Sequence, residues 1–251
     1  MQLIFEITWK CPARCKFCTV PKGDVVMPLE LYEKALTLFI DTDIDPELDL
    51  NAVLSGGEPT MLPFLYKYVR IAHSLGYNVT VVTNGFFPDT AINSGADLIE
   101  VSVDYWGERH EKNRGVKGLW RKITYLLENA ENVVIRATLL NDNFEDIIKI
   151  HEAYPDIPLF VMPVRGYIYN ARKEDLEKLS TLENVYVADN CPAGISSFVI
   201  APGLDPEKEL DVLACIYYRK LLGRLREFTK DELDKILEEG RKIPRFPCEQ
   251  K

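Results

Sequence analysis

A strand-then-helix rhythm, repeated six times, narrows the possible folds more than any other feature of this sequence. Segments 3–8, 50–54, 78–83, 98–103, 133–139 and 158–162 are short, rich in Val, Ile and Leu, and apolar on both faces. Strands covered on both sides have this composition. Between them lie helical patterns. In 28–41, Tyr32, Ala35, Leu36 and Phe39 recur at i, i+3, i+4 and i+7, and in 63–75 Leu65, Tyr68, Val69 and Ala72 do the same. Pro28 and Pro63 stand where a first helical turn tolerates proline. Further helices fit 116–129, 144–153 and 172–179. Such alternation implies α/β architecture: a parallel sheet with right-handed crossovers. Periodicity alone leaves open whether that sheet is flat or curled into a partial barrel.

After residue 182 the rhythm changes. Segments 196–201 and 210–215 read as paired strands around a Pro/Gly/Asp loop, and 230–241 as a helix. The expected division is therefore a main unit, 1–182, and a small hairpin-plus-helix module, 183–251. A chain of 251 residues is long enough to bury a large core, and 47% apolar with 27% charged residues is ordinary for a globular enzyme. The net charge of −9 disfavours nonspecific contact with phosphate backbones. The basic stretch Arg219, Lys220, Arg224 and Arg226 reads as a solvated helix end. No apolar run reaches bilayer length, and the first residues include Glu6 and no basic leader, so the expected location is the cytoplasm, without a membrane partner.

Six cysteines in such a protein call for a reason, because disulfides rarely persist in that compartment. They form two groups, Cys11, Cys15, Cys18 and Cys191, Cys215, Cys248. A disulfide scaffold would not leave the interval from Cys18 to Cys191 empty, so ligation is the better explanation. Cys11-Pro-Ala-Arg-Cys15-Lys-Phe-Cys18 follows the first strand, at the carboxyl end where α/β folds carry their sites. Three soft thiolates on one loop suit an iron–sulfur cluster or zinc. A structural zinc site wants a fourth ligand, and the next His or Cys is His73. Spacing therefore favours a cluster, with a non-catalytic zinc-binding adaptor as the reading from a different class. His73, His110 and His151 read as packing or surface residues.

The C-x3-C-x2-C loop, with Phe17 before its last cysteine, resembles that of the radical S-adenosylmethionine (SAM) superfamily. The family's other marks follow in order. Ser55-Gly56-Gly57-Glu58-Pro59 matches the Gly-Gly-Glu-Pro motif after strand two, and Thr83-Asn84-Gly85 closes strand three. Ser102-Val103-Asp104 closes strand four, the run Glu108 to His110 and on to Arg114-Gly115 resembles the loop beyond it, and Arg136-Ala137-Thr138 lies in strand five. The resemblance implies a partial (β/α)6 TIM-like barrel. It implies that Cys11, Cys15 and Cys18 hold a 4Fe–4S cluster whose fourth iron is chelated by the methionyl group of S-adenosylmethionine. Glu58 would then accept from the ligand's amino group, while Gly56 and Gly57 would let backbone approach it closely, with Pro59 beside them in the cofactor site. Phe17 would pack on adenine, Thr83, Asn84, Ser102 and Asp104 would contact ribose and methionine, and Arg136 the carboxylate. A ferredoxin- or flavodoxin-type donor would reduce the cluster, and the 5′-deoxyadenosyl radical so formed would abstract hydrogen from a substrate.

Cys191-Pro-Ala-Gly194, the hairpin carrying Cys215, and Leu221-Leu-Gly-Arg-Leu225 resemble the twitch or SPASM-type extension. That resemblance implies an auxiliary iron–sulfur cluster on Cys191 and Cys215, with Cys248 as third ligand, and a peptide, protein or cofactor-precursor substrate. A nucleotide- or tRNA-modifying enzyme is the alternative. The extra residues 204–210 and the absence of a fourth cysteine depart from the pattern.

Overall fold

The computed structural model describes residues 1–40, 50–164, 171–188 and 191–245. Six parallel strands appear close to their expected bounds: β1 (Gln2–Thr8), β2 (Asn51–Gly56), β3 (Asn78–Thr83), β4 (Leu98–Ser102), β5 (Val133–Leu139) and β6 (Leu159–Pro163). A short β7 (Val185–Val187) extends the parallel run, and β8 (Ser197–Pro202), β9 (Leu210–Leu213) and β10 (Leu221–Leu225) complete a ten-stranded sheet. Its order is β10-β9-β8-β1-β2-β3-β4-β5-β6-β7. β8 pairs parallel with β1, and β9 and β10 then run antiparallel. The C-terminal hairpin thus continues the main sheet instead of standing beside it.

One face of every strand from β1 to β6 contributes to a single cavity, with Glu6, Ser55, Val82, Glu100, Arg136 and Phe160 as examples. A flat sheet could not bring those faces together. The sheet is curled into a partial barrel, which is the fold class the sequence implied. Helices cover the outer face. α1 (Leu29–Ile40) and α2 (Leu65–Ser74) bury Tyr32, Leu36, Phe39 and Tyr68 against β1–β3, together with Phe198 of β8 and Leu233 and Ile236 of α8 (Lys230–Arg241). α5 (Leu119–Asn129) and α6 (Phe144–Ala153) seat Ile123, Leu126, Ile147 and Ile150 on β4–β6. Burying one such side chain stabilises by about 1.5–3 kcal/mol. Among the described residues no helix is long and apolar enough to cross a membrane.

Two sequence expectations need correction. The basic stretch is not a helix end. It builds β10 and its flanks, where Arg224 Nε pairs with Asp211 and Arg226 Nε with Glu209, each at 2.7 Å, while Arg219 turns inward to Glu6. Alternate arginines facing carboxylates across an antiparallel pair satisfy strand geometry. The run after strand four, read as a loop, contains α4 (Glu108–Arg114), which Gly115 ends in a left-handed cap at φ 68°. Two short helices, α3 (Pro88–Ile92) and α7 (Lys173–Leu179), complete the set.

Candidate active site

The three N-terminal thiols hang on a loop fixed by its own backbone. Trp9 N donates to Val25 O at 3.0 Å, Lys10 N to Thr8 Oγ1 at 3.1 Å, Arg14 N to Arg114 O at 2.8 Å and Cys18 N to Cys15 O at 3.2 Å. Cys11, Cys15 and Cys18 all line one cavity of about 530 Å³ at the carboxyl ends of the strands. Cys11 and Cys15 are half-buried and Cys18 is exposed. Burial pushes the Cys11 and Cys15 thiols up, so metal ligation has to displace their protons. Among the described residues no three His, Cys, Asp or Glu side chains gather as they would around a single metal ion. A four-iron cube asks for something else, since each of its thiolates takes a different iron. Three thiols opening into one cavity, with a buried cation beside them, fit that group.

The Gly-Gly-Glu segment works from beneath. Gly57 N donates to Thr8 O and Glu58 N to Lys10 O, both at 2.7 Å. A Cβ on Gly57 would lie 2.1 Å from Lys10 O, and one on Gly56, at φ 115°, 2.4 Å from Thr8 O. The close approach these glycines permit is therefore to the root of the thiol loop. Glu58 is fully buried, and its carboxylate accepts from Thr60 N, Thr60 Oγ1, Thr83 Oγ1 and Asn84 N at 2.6–3.1 Å. Sequence reasoning directed it at a ligand's amino group. In the fold Oε1 accepts from Thr60 and Thr83 and Oε2 from Asn84 N, so the residue also ties β2 to the end of β3. Pro59 starts the short 3-10 turn Pro59–Met61, buried and outside the cavity lining.

Thr83, Asn84, Ser102, Asp104 and Arg136 all reach the cavity wall, most of them already engaged. Asn84 Nδ2 lies 3.8 Å from Cys11 Sγ, and its Oδ1 accepts from Phe86 N. Asp104 is 1% exposed and accepts from Arg114 Nη2 at 2.6 Å and Thr138 N at 3.0 Å. Arg136 pairs with Glu100 at 2.7 Å and hydrogen-bonds the Tyr217 phenol. Phe17 packs with Tyr105, Leu140 and Val164, and the Arg114 guanidinium lies 5.9 Å from its ring centre.

Arg114 was named in the sequence only as part of the run after strand four and given no role, and Tyr217 was not named. Arg114 lies ten positions after Asp104, whereas Tyr217 falls between Cys215 and Leu221, far along the chain from the residue it meets. The turn that carries Tyr217 reaches the barrel at three points. Thr19 Oγ1 donates to Ile216 O at 2.6 Å, Tyr217 meets Arg136, and Arg219 pairs with the buried Glu6, which also accepts from Trp9 Nε1. Pro192 and Ile216, neighbours of Cys191 and Cys215, line the cavity, and Tyr217 N donates to Cys215 Sγ at 3.3 Å. Cys248 lies outside the described residues.

His110 packs under this network with Nδ1 accepting from Asp104 N and Tyr105 N, and with no partner for Nε2 among the described residues. Burial, reinforced by the Arg114 charge, pushes it down from 6.5 to about 3. The folded state therefore binds fewer protons than the unfolded one between those values. Its contribution is complete above pH 6.5 and fades as pH falls toward 3. Between pH 6.5 and 5 the apoprotein should lose about 2 kcal/mol from this group. Urea unfolding of wild type and His110→Asn checks it, since the variant should have the flatter acid limb; parallel limbs would assign the acid sensitivity elsewhere.

A thiol loop and a glycine turn at the carboxyl ends of curled parallel strands define a class, partial-barrel enzymes that hold their cofactor at the barrel mouth. A model of the Radical SAM superfamily matches residues 5–154, and the chain belongs to that superfamily, whose members use S-adenosylmethionine and a 4Fe–4S cluster. Its relatives include the AdoMet-dependent heme synthase of Oleidesulfovibrio alaskensis, 29% identical over 164 residues, which are 60% of this chain and 42% of that protein. The chain thus spans about two fifths of this curated relative. Among solved structures, Streptococcus suis SuiB bound to its precursor peptide SuiA has a TM-score of 0.69 at 18% identity, covering 93% of this chain and 63% of that one. The enzyme anSMEcpe with bound AdoMet and Cp18Cys peptide has a TM-score of 0.68 at 15% identity, covering 96% and 81%. At such identities the structures speak for the fold alone.

Proposed function

We propose that this chain uses S-adenosylmethionine to take a hydrogen atom from a peptide, protein or cofactor precursor, with Cys11, Cys15 and Cys18 holding the 4Fe–4S cluster. The observation that carries the reading is convergence: thiol loop, glycine turn, polar strand ends and the Cys215 turn all meet at one cavity. When bound, cluster and S-adenosylmethionine supply the reductive cleavage of a C–S bond. The chain's own residues orient and enclose. Gly56, Gly57 and Glu58 fix the height of the thiol loop, and Phe17 offers an apolar face to a planar ring. Thr83, Asn84, Ser102 and Asp104 line the polar wall, and Arg136, held by Glu100, offers positive charge to a carboxylate. Cys18, exposed at the rim, gives an external ferredoxin- or flavodoxin-type donor a short path inward.

In this reading residues 1–182 carry the radical chemistry and residues 183–251 form a twitch-like module, in which Cys191, Cys215 and Cys248 hold an auxiliary iron–sulfur cluster. The heme synthase among the relatives supports a cofactor-type substrate, and the net charge of −9 counts against a nucleic acid. Anaerobic reconstitution tests it. Iron near 8 per chain is expected for two four-iron clusters, while about 4 would remove the auxiliary one. Dithionite and S-adenosylmethionine should then yield 5′-deoxyadenosine; iron-loaded protein that forms none would defeat the proposal.

A further inference from the structure

The guanidinium of Arg114 is buried at 8% exposure, and one of its donors is unused. Nη2 is committed to Asp104, yet the buried Nε has no acceptor among the described residues. The group lines the cavity, its charge acts on both Cys15 and Cys11, and its carbonyl anchors Arg14 inside the thiol loop. A similar arrangement serves the Cys11 corner, where Asn84 Nδ2 approaches Sγ at 3.8 Å and the Lys22 ammonium hydrogen-bonds the same sulfur. Nothing in an isolated ion pair requires a spare N–H, and a buried donor left unmet is costly. A four-iron cluster on three thiolates is an anion, and one-electron reduction makes it more so. In a poorly solvated wall that reduced form is disfavoured unless cations and N–H donors face it.

We propose that Arg114, locked in place by Asp104, is a positioning and charge-compensating residue for the cluster, and that with Lys22 and Asn84 it raises the cluster's reduction potential. One electron arrives from the external donor and the cluster is reduced. The inference rests on the reading that Cys11, Cys15 and Cys18 hold the cluster.

The test is a redox titration of the anaerobically reconstituted full chain, following the reduced cluster by electron paramagnetic resonance. At the wild-type midpoint, Arg114→Met should lower the ratio of reduced to oxidised cluster about tenfold, a shift of about 59 mV for one electron. Arg114→Lys, which keeps the charge and loses the planar fork, should shift less, and Lys22→Met should move in the same direction. Full iron with an unmoved midpoint in Arg114→Met overturns the inference. Where Arg114→Met fails to fold or loses its iron, Arg114→Lys decides: a lowered midpoint supports the assignment and an unchanged one sinks it. A wild-type protein that takes up no iron would instead overturn the cluster reading, and this inference with it.

Discussion

Cys15→Ala should abolish dithionite-driven formation of 5′-deoxyadenosine, leaving only the background of protein-free controls. Cys15 is half-buried, faces the same cavity as Cys11 and Cys18, and feels the charges of both. With its sulfur gone, two thiolates on this loop remain for a cluster that needs three corners held. The change is chemical and not architectural. The backbone bonds that fix the loop, Arg14 N to Arg114 O above all, do not involve the side chain. The apoprotein should accordingly unfold within a few degrees of wild type, as expected of a change outside the packed core. A variant that still cleaved S-adenosylmethionine would show that the wrong loop has been assigned.

Gly57→Ala should reach nearly the same functional endpoint through the backbone. The new methyl would stand 2.1 Å from Lys10 O and 2.7 Å from Lys10 C, both main-chain atoms with no rotamer to give way. Relief requires lifting the segment that Gly57 N and Glu58 N hold against Thr8 and Lys10, and with it the start of the thiol loop. Overpacking against fixed atoms costs about 1–3 kcal/mol and more where nothing yields, so about 3 kcal/mol is expected here. Reconstituted iron should fall in parallel. Gly118→Ala is the matched control: its φ of 76° brings backbone strain, but nothing lies within 4 Å of the added carbon. Denaturant midpoints and iron assays on both decide the matter. Should Gly57→Ala keep wild-type midpoint and iron, the glycine's close approach is not what holds the loop.

The parallel strands were legible because the face each turns to the helices carries an apolar residue at every second position, while the opposite face lines the cavity. Ala52, Leu54, Val79 and Val81 leave little room for another reading. β7 offered only three residues, too few for any period. β10 was hidden by its arginines, since Leu221-Leu222-Gly223-Arg224-Leu225 shows its strand character only once Asp211 and Glu209 are known to lie opposite. The site was legible as a set of motifs, and each of its N-terminal members except Glu58 and Pro59 reaches the cavity wall. What the motifs left out was direction. That Glu58 meets Thr60, Thr83 and Asn84 depends on a crossing of chain segments that no local pattern encodes. Tyr217 is the extreme case, brought beside Arg136 by a reversal after β9.

The pairing of β1 with β8 has a consequence for how the protein is made. As the chain leaves the ribosome, Gln2–Phe5 can find β2 early, but the other edge stays bare until Ser197–Ile200 emerges. Until then the first strand presents an unsaturated, apolar ribbon, the kind of template on which neighbouring nascent chains aggregate. Expression stopped at residue 182 would make that interval permanent, and the shortened product should collect in inclusion bodies.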